Sequence, residues 1–253
     1  MIKQAVIVAG GLGSRFGDRT KLMPKGFIEI DGVPMVERSV QKLFASGIEE
    51  IIIGTGHCSE YYDELAKKYP GIKTVRNDNY ANTSSMGTLE VCVPLIKGDF
   101  ILLESDLVYD SVGLKVLHQE KRNNVILASG KSNSHDEVYL AADSEGKLCE
   151  VSKNKEIIPN PAGELVGITK ISKKCVEKMM EYYKSSPDLI KLDYESALKY
   201  VSLHGEPVVI NKIEYYAWTE IDDESMLDRA LTQIYPRIKE NESLQEIILN
   251  FNK

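Results

Sequence analysis

The chain has 253 residues, 43% of them hydrophobic, and a formal net charge of −7 at pH 7. That length suits a single α/β domain with a large core, and the acidic balance argues against a general nucleic-acid binder while leaving room for a local basic pocket. Cys58, Cys92, Cys149 and Cys175 form no C-x-x-C pair, which excludes a zinc ribbon or a disulfide framework, and the lack of a leader or a long apolar run points to a soluble, cytoplasmic protein without membrane insertion.

Ala5 to Val8 is a short apolar run of the kind that forms a buried parallel strand, and Gly10, Gly11 and Gly13 follow directly on it. Glycines there let the backbone turn tightly and offer N–H groups to an anion. The dinucleotide fingerprint fails because Phe16 stands where its third glycine belongs, and no Gly-Lys-Ser/Thr completes a P-loop. What remains is a glycine loop with two cations, Arg15 and Lys25, a layout suited to gripping a triphosphate from two sides.

A helix starting near Pro34 and ending at Gly47, a strand over 50–54, a helix from Ser59 to Lys68 and a strand over 72–76 follow. Strand and helix alternating with short connections imply right-handed crossovers, hence a Rossmann-like three-layer αβα fold around a mostly parallel mixed sheet. The polar stretch 77–87 comes after the third strand, where open parallel sheets collect ligands. Its small hydroxyl and amide side chains are placed to meet a nucleoside, with Ser84 or Ser85 also able to cap the helix pattern that runs over 88–95.

Phe100 to Leu103 reads as a buried strand ending in Glu104-Ser105-Asp106. A carboxylate at the end of a central strand needs a cation, and beside a triphosphate that is magnesium; capping the next helix falls to Asp110 or Ser111. A helix after Val112 and a strand over 125–129 complete a nucleotide-binding half, about 1–130. Beyond Gly130 the pattern becomes a small, partly antiparallel addition, with a hairpin around 143–146 and an extended segment over 164–169. This acceptor half, about 131–235, ends in Trp218-Thr219-Glu220-Ile221-Asp222-Asp223, where one Asp can serve the site and the other cap the helix 224–234. The helical tail 236–253 carries no visible chemistry; it is read as a surface for a second copy of the chain or as a lead into a further enzyme domain.

Gly10-Gly11-Leu12-Gly13-Ser14-Arg15 with Met23-Pro24-Lys25 resembles the G-x-G-[ST]-R…P-K signature of the nucleotidyltransferases that make nucleoside-diphosphate sugars and CDP-alcohols. Nearly the whole chain resembles the bacterial phosphocholine and 2-aminoethylphosphonate cytidylyltransferases in particular. The resemblance implies Asp106 and Asp222 as Mg2+ ligands, with Glu220 as the alternative, and catalytic roles for Arg15, Lys25, Asp106 and Asp222. It also implies a CTP pocket built from Ala9, Gly10, Gly11, Gly13, Ser14, Asn82, Ser84, Ser85, Met86 and Ser105. A non-catalytic regulatory nucleotide-binding protein is the competing class, and the presence of all four charged residues argues for turnover.

The acceptor decides between the two relatives. In the phosphocholine enzymes tryptophans stand in the segments matching 135–138 and 192–195, as suits a trimethylammonium group. Here those segments carry Asp136, Glu137, Asp193 and Glu195, carboxylates that suit a primary ammonium with three N–H donors. 2-Aminoethylphosphonate is therefore the expected acceptor, with Asp136, Glu137, Tyr139, Glu195 and Tyr216 around it and phosphocholine as the alternative.

Overall fold

The computed structural model describes residues 2–251, together with their side chains except those of Ser14, Asp18, Arg19 and 246–251. Strand β1 (Gln4–Ala9) leads through the glycine loop into a minor hairpin, β2 (Glu29–Ile30) and β3 (Val33–Pro34), and then helix α1 (Met35–Ala45). Strand β4 (Glu50–Thr55), α2 (Glu60–Lys68), β5 (Ile72–Arg76), α3 (Ser85–Cys92), β6 (Phe100–Glu104), β7 (Leu107–Tyr109), α4 (Val112–Gln119) and β8 (Val125–Ser129) follow. The rest is β9 (Tyr139–Ala142), β10 (Leu148–Ser152), β11 (Gly163–Ile171), α5 (Lys173–Tyr183), α6 (Tyr194–Leu203), β12 (Val209–Ile213), β13 (Trp218–Glu220), α7 (Glu224–Arg229) and α8 (Tyr235–Phe251).

Seven strands lie side by side in the order β5-β4-β1-β6-β11-β8-β12, parallel except for β11, which is antiparallel to β6 and to β8. Along β1, Ala5, Ile7 and Ala9 enter one core while Val6 and Val8 enter the other. A strand buried on both faces reads as a continuous apolar run and requires a helical layer on each side, which gives the three-layer fold.

The antiparallel addition expected beyond Gly130 is present as the hairpin β9–β10, which pairs with the first residues of β11. The segment 164–169, expected in that addition, instead lies within the main sheet between β6 and β8, so residues before and after Gly130 share one sheet. Two helices differ from expectation. Helix α3 starts at Ser85 rather than Thr88, and the helix expected over 224–234 passes from α7 into a π-helical turn, Ala230–Ile234. Among the described residues no helix is long and apolar enough to cross a membrane.

Candidate active site

A cavity of about 490 Å³ opens at the carboxyl ends of β1 and β6, bounded by the glycine loop, the start of α3, the segment 132–138 and the start of α6. Strand ends point backbone and side-chain polar groups into such a crevice, so ligands collect there. Ala9, Gly10, Gly11, Gly13, Ser84, Ser85 and Ser105 line it, as expected for the nucleotide wall. The Ser14 side chain falls outside the described residues.

The two acidic motifs, far apart in sequence, are joined by a small ladder: β13 pairs antiparallel with β7, Glu220 opposite Leu107, and the Ile221 N–H donates to the Asp106 carbonyl at 3.1 Å. This carries Asp222 across to Asp106. Capping falls to their neighbours, as expected. Asp110 Oδ1 accepts from the Val112 N–H at 2.9 Å and Asp223 Oδ1 from the Met226 N–H at 2.8 Å, so Asp106 and Asp222 are spared that task.

Lys25 enters this cluster from a 3-10 turn (Lys25–Phe27) that follows the extended Pro24. Its Nζ contacts the carboxylates of both Asp106 and Asp222 and lies 3.9 Å from Glu220 Oε1. The turn is wedged in place at Gly26, where a Cβ would come within 2.9 Å of the Ser105 carbonyl and 3.1 Å of the Tyr62 hydroxyl. Burial works against the Lys25 charge, but Asp106, Asp222 and Glu220 more than offset it and raise its pKa above the usual lysine range. Arg15 reaches Asp222 Oδ2 at 2.8 Å with one amine and Asp136 Oδ2 at 2.7 Å with the other. Lys153 closes on the remaining oxygen of Asp136 at 2.6 Å.

Glu104 adds a further carboxyl. It ends β6, opposite Val8 of β1, and its Oε1 accepts from the buried Tyr194 hydroxyl at 2.7 Å. One ligand oxygen each from Glu104, Asp106 and Glu220 lie within 4.8 Å of one another, an all-oxygen donor set that fits a hard divalent ion. Burial and the surrounding negative charges push Glu104 up to about 7 and Glu220 up to about 10. The same forces, burial first and then Glu104 and Asp193, push Glu195 up to about 8 on the cavity wall.

The segment 81–86 and the start of α6 are sewn together at the cavity edge. The Met86 N–H donates to the Leu192 carbonyl at 3.3 Å, the Tyr194 N–H to Ser85 Oγ at 2.9 Å, and the Ser84 hydroxyl to Asp193. Lys191 Nζ adds a bond to the Ala81 carbonyl at 3.3 Å. The serine hydroxyls are thus spent on this seam rather than on capping α3.

Four expected site residues fall elsewhere. Met86 is fully buried in the core beneath α3, because the helix turns its side chain away from the cavity. Asn82 is exposed and donates its amide to Asn79 Oδ1 at 2.8 Å, while its neighbours Ala81 and Thr83 line the cavity. Tyr139 sits on β9 outside the cavity wall with Lys155 Nζ 5.8 Å over its ring. Tyr216 is buried behind β7, its hydroxyl donating to the Asp110 carbonyl at 2.6 Å. Asp136, Glu137 and Glu195 do line the cavity, although Asp136 is covered by Arg15 and Lys153. Sequence reasoning missed Glu104 and Lys153. Glu104 carried a signal, since it stands two residues before Asp106 at the same strand end; Lys153 carried none.

The whole stretch 5–234 matches the MobA-like NTP transferase domain family. The chain belongs to that family, and so to the nucleotidyltransferases. It is 29% identical to a 2-aminoethylphosphonate cytidylyltransferase of Lancefieldella rimae over 152 residues, 59% of this chain and 60% of that protein. A choline-phosphate cytidylyltransferase of Streptococcus pneumoniae is 22% identical over 241 residues, 94% of this chain and 97% of that one. Among solved structures, the inositol-1-phosphate CTP transferase of T. maritima superposes with a TM-score of 0.80 at 18% identity, covering 94% of this chain and 97% of that one. The match to the Lancefieldella protein spans less than two thirds of that relative.

Proposed function

We propose that this chain transfers CMP from CTP to 2-aminoethylphosphonate, releasing pyrophosphate and forming CMP-2-aminoethylphosphonate. The acceptor's phosphonate oxygen is already anionic, so no protein nucleophile is needed; it attacks the α-phosphorus in line and the bond to the leaving pyrophosphate breaks. Bringing two anions together is the obstacle, and positioned cations lower it. Arg15 and the glycine-loop amides hold the triphosphate, and Lys25 stabilises charge that builds at phosphorus. Glu104, Asp106, Glu220 and Asp222 are the residues that would hold Mg2+, which supplies charge neutralisation and Lewis acidity when bound.

One observation supports the choice of acceptor: Glu137 and Glu195 place two carboxyl groups in the cavity wall, and burial with Glu104 and Asp193 nearby raises Glu195, so that a cation brought beside it is favoured. A primary ammonium supplies that charge with three donors. Phosphocholine is the second reading, favoured by the Streptococcus relative that aligns over 97% of its own length and by Trp218 and Tyr194 in the cavity wall.

Pyrophosphate release with CTP decides between them. Catalytic efficiency is expected to fall stepwise from 2-aminoethylphosphonate to its mono-, di- and trimethylated analogues, by about one to two powers of ten per lost hydrogen bond. Glu195→Gln is expected to flatten the series. A rise toward the trimethylated compound or phosphocholine would reverse the assignment, and equal rates with every nucleoside triphosphate would remove cytosine from it.

A further inference from the structure

The carboxylate cluster already contains cations: Arg15 reaches Asp222, and the Lys25 ammonium sits on Asp106 and Asp222. The Lys25 side chain is 16% exposed, its Nζ touches Asp106 and Asp222, whose side chains are 9% and 2% exposed, and Glu220 Oε1 is 3.9 Å away. Glu104, held by Tyr194 on the far side, shares ligand distance with Asp106 and Glu220. Asp106 is therefore common to two cation positions: the one Lys25 fills and the one the oxygens of Glu104, Asp106 and Glu220 outline. Two cations drawn to one small carboxylate inside a protein repel strongly, so full occupancy of both is disfavoured.

Lys25 also sits on a closely packed turn. Gly26 is buried with no room for a side chain beside the Ser105 carbonyl and the Tyr62 hydroxyl, so the four-carbon stem is the part of Lys25 free to change partners. The glycine loop, the other wall of the same cavity, is where a triphosphate would receive that ammonium.

We propose that Lys25 is a resident counter-ion of this cluster and competes with a divalent cation for Asp106, so that ion binding frees Lys25 to reach the phosphates of the nucleotide. The proposal rests on the metal-dependent nucleotidyl transfer argued above. In it Lys25 has two alternating partners, carboxylate in the empty chain and phosphate in the loaded one. The arrangement links the two ligands: each makes the other easier to bind, beyond any association they have in solution.

The test is titration of the nucleotide-free chain with Mn2+, read from the EPR signal of free ion. Lys25→Met keeps the stem and removes the charge, and it is expected to bind Mn2+ at least about tenfold more tightly than wild type, within the usual range of coupling between sites. Lys25→Arg retains the charge and is expected to stay near wild type. Adding Asp106→Asn to Lys25→Met is expected to abolish the gain. An unchanged or weaker Mn2+ affinity in Lys25→Met overturns the proposal. If that variant fails to fold, lysine acetylation of the wild type, read by mass spectrometry, replaces it. Mg2+ is expected to speed labelling at Lys25 several-fold relative to the exposed Lys97, and no change at Lys25 overturns the proposal. Neither assay involves turnover, so CTP-dependent activity that survives excess chelator would strike the metal-dependent reading, whereas these two measurements strike the competition alone.

Discussion

The Tyr194 hydroxyl donates to Glu104 Oε1 at 2.7 Å, tying the first residue of helix α6 to the last residue of strand β6. A residue 90 positions further along the chain thereby fixes a carboxyl two positions from Asp106. Tyr194→Phe keeps the ring in the core and removes only that bond. Hydrogen bonds to charged or strongly polar groups contribute about 1.5–3 kcal/mol, so kcat/KM for the acceptor is expected to fall by about ten- to a hundredfold. A change of less than about twofold, on the same scale, would show that Glu104 needs no such support.

Lys25→Ala and Asp106→Ala are each expected to lower kcat by at least about a hundredfold, the scale for losing a transition-state charge partner. Circular dichroism and gel filtration check that both variants keep the fold. Steady-state rates near wild type in either would remove that residue from the chemistry.

Glu195 makes stability depend on pH. Burial and nearby negative charge raise it from the usual 4.5 to about 8, so the folded chain holds this proton more tightly than the unfolded chain does. Its contribution is thus complete below about pH 4.5 and is lost as pH rises through about 8. Glu195→Gln cannot ionise, and its urea midpoint is expected to gain on wild type steadily from about pH 5 to about pH 9. A difference that stays constant across that range would contradict the assignment.

Gly167 has φ +81°, and a Cβ there would lie 2.9 Å from Glu104 Oε2. Its position falls where the pairing of β11 with β8 shifts register, between Leu165 and Thr169. Gly167→Ala combines a left-handed backbone with a collision at the carboxyl, and is expected to lower the unfolding free energy by about 1–3 kcal/mol. Denaturant melts measure this directly. A neutral substitution would mean that the bulge can relax without disturbing Glu104.

Local pattern carried much of this architecture. Strands 72–76 and 125–129 stand at the expected bounds because apolar runs between turn residues are set by short-range chemistry. Asp110 as a candidate cap was also legible from capping rules, whereas those rules left Asp222 and Asp223 equal and the structure gives the cap to Asp223. Pairing between distant segments was not legible. Nothing local in 164–169 distinguishes a central antiparallel strand from a peripheral one, and nothing near Met86 or Tyr216 says which face its side chain will take. Asp136 read as a free carboxylate because its partners come from elsewhere in the chain, Arg15 from the 3-10 helix after the glycine loop and Lys153 from the bend that follows β10.

The seam between 81–86 and 191–194 has a consequence for how such an enzyme can change its preferences. Ala81, Ser84, Ser85 and Met86 each bond to a residue of the facing stretch, so the two segments behave as a single recombination unit. Transplanting 191–194 and α6 alone from a relative would leave the serine hydroxyls and the Met86 amide without their partners, and the damage would surface at 81–86, on the other side of the seam. A productive exchange carries both stretches together, and whatever preferences they set then travel as one trait.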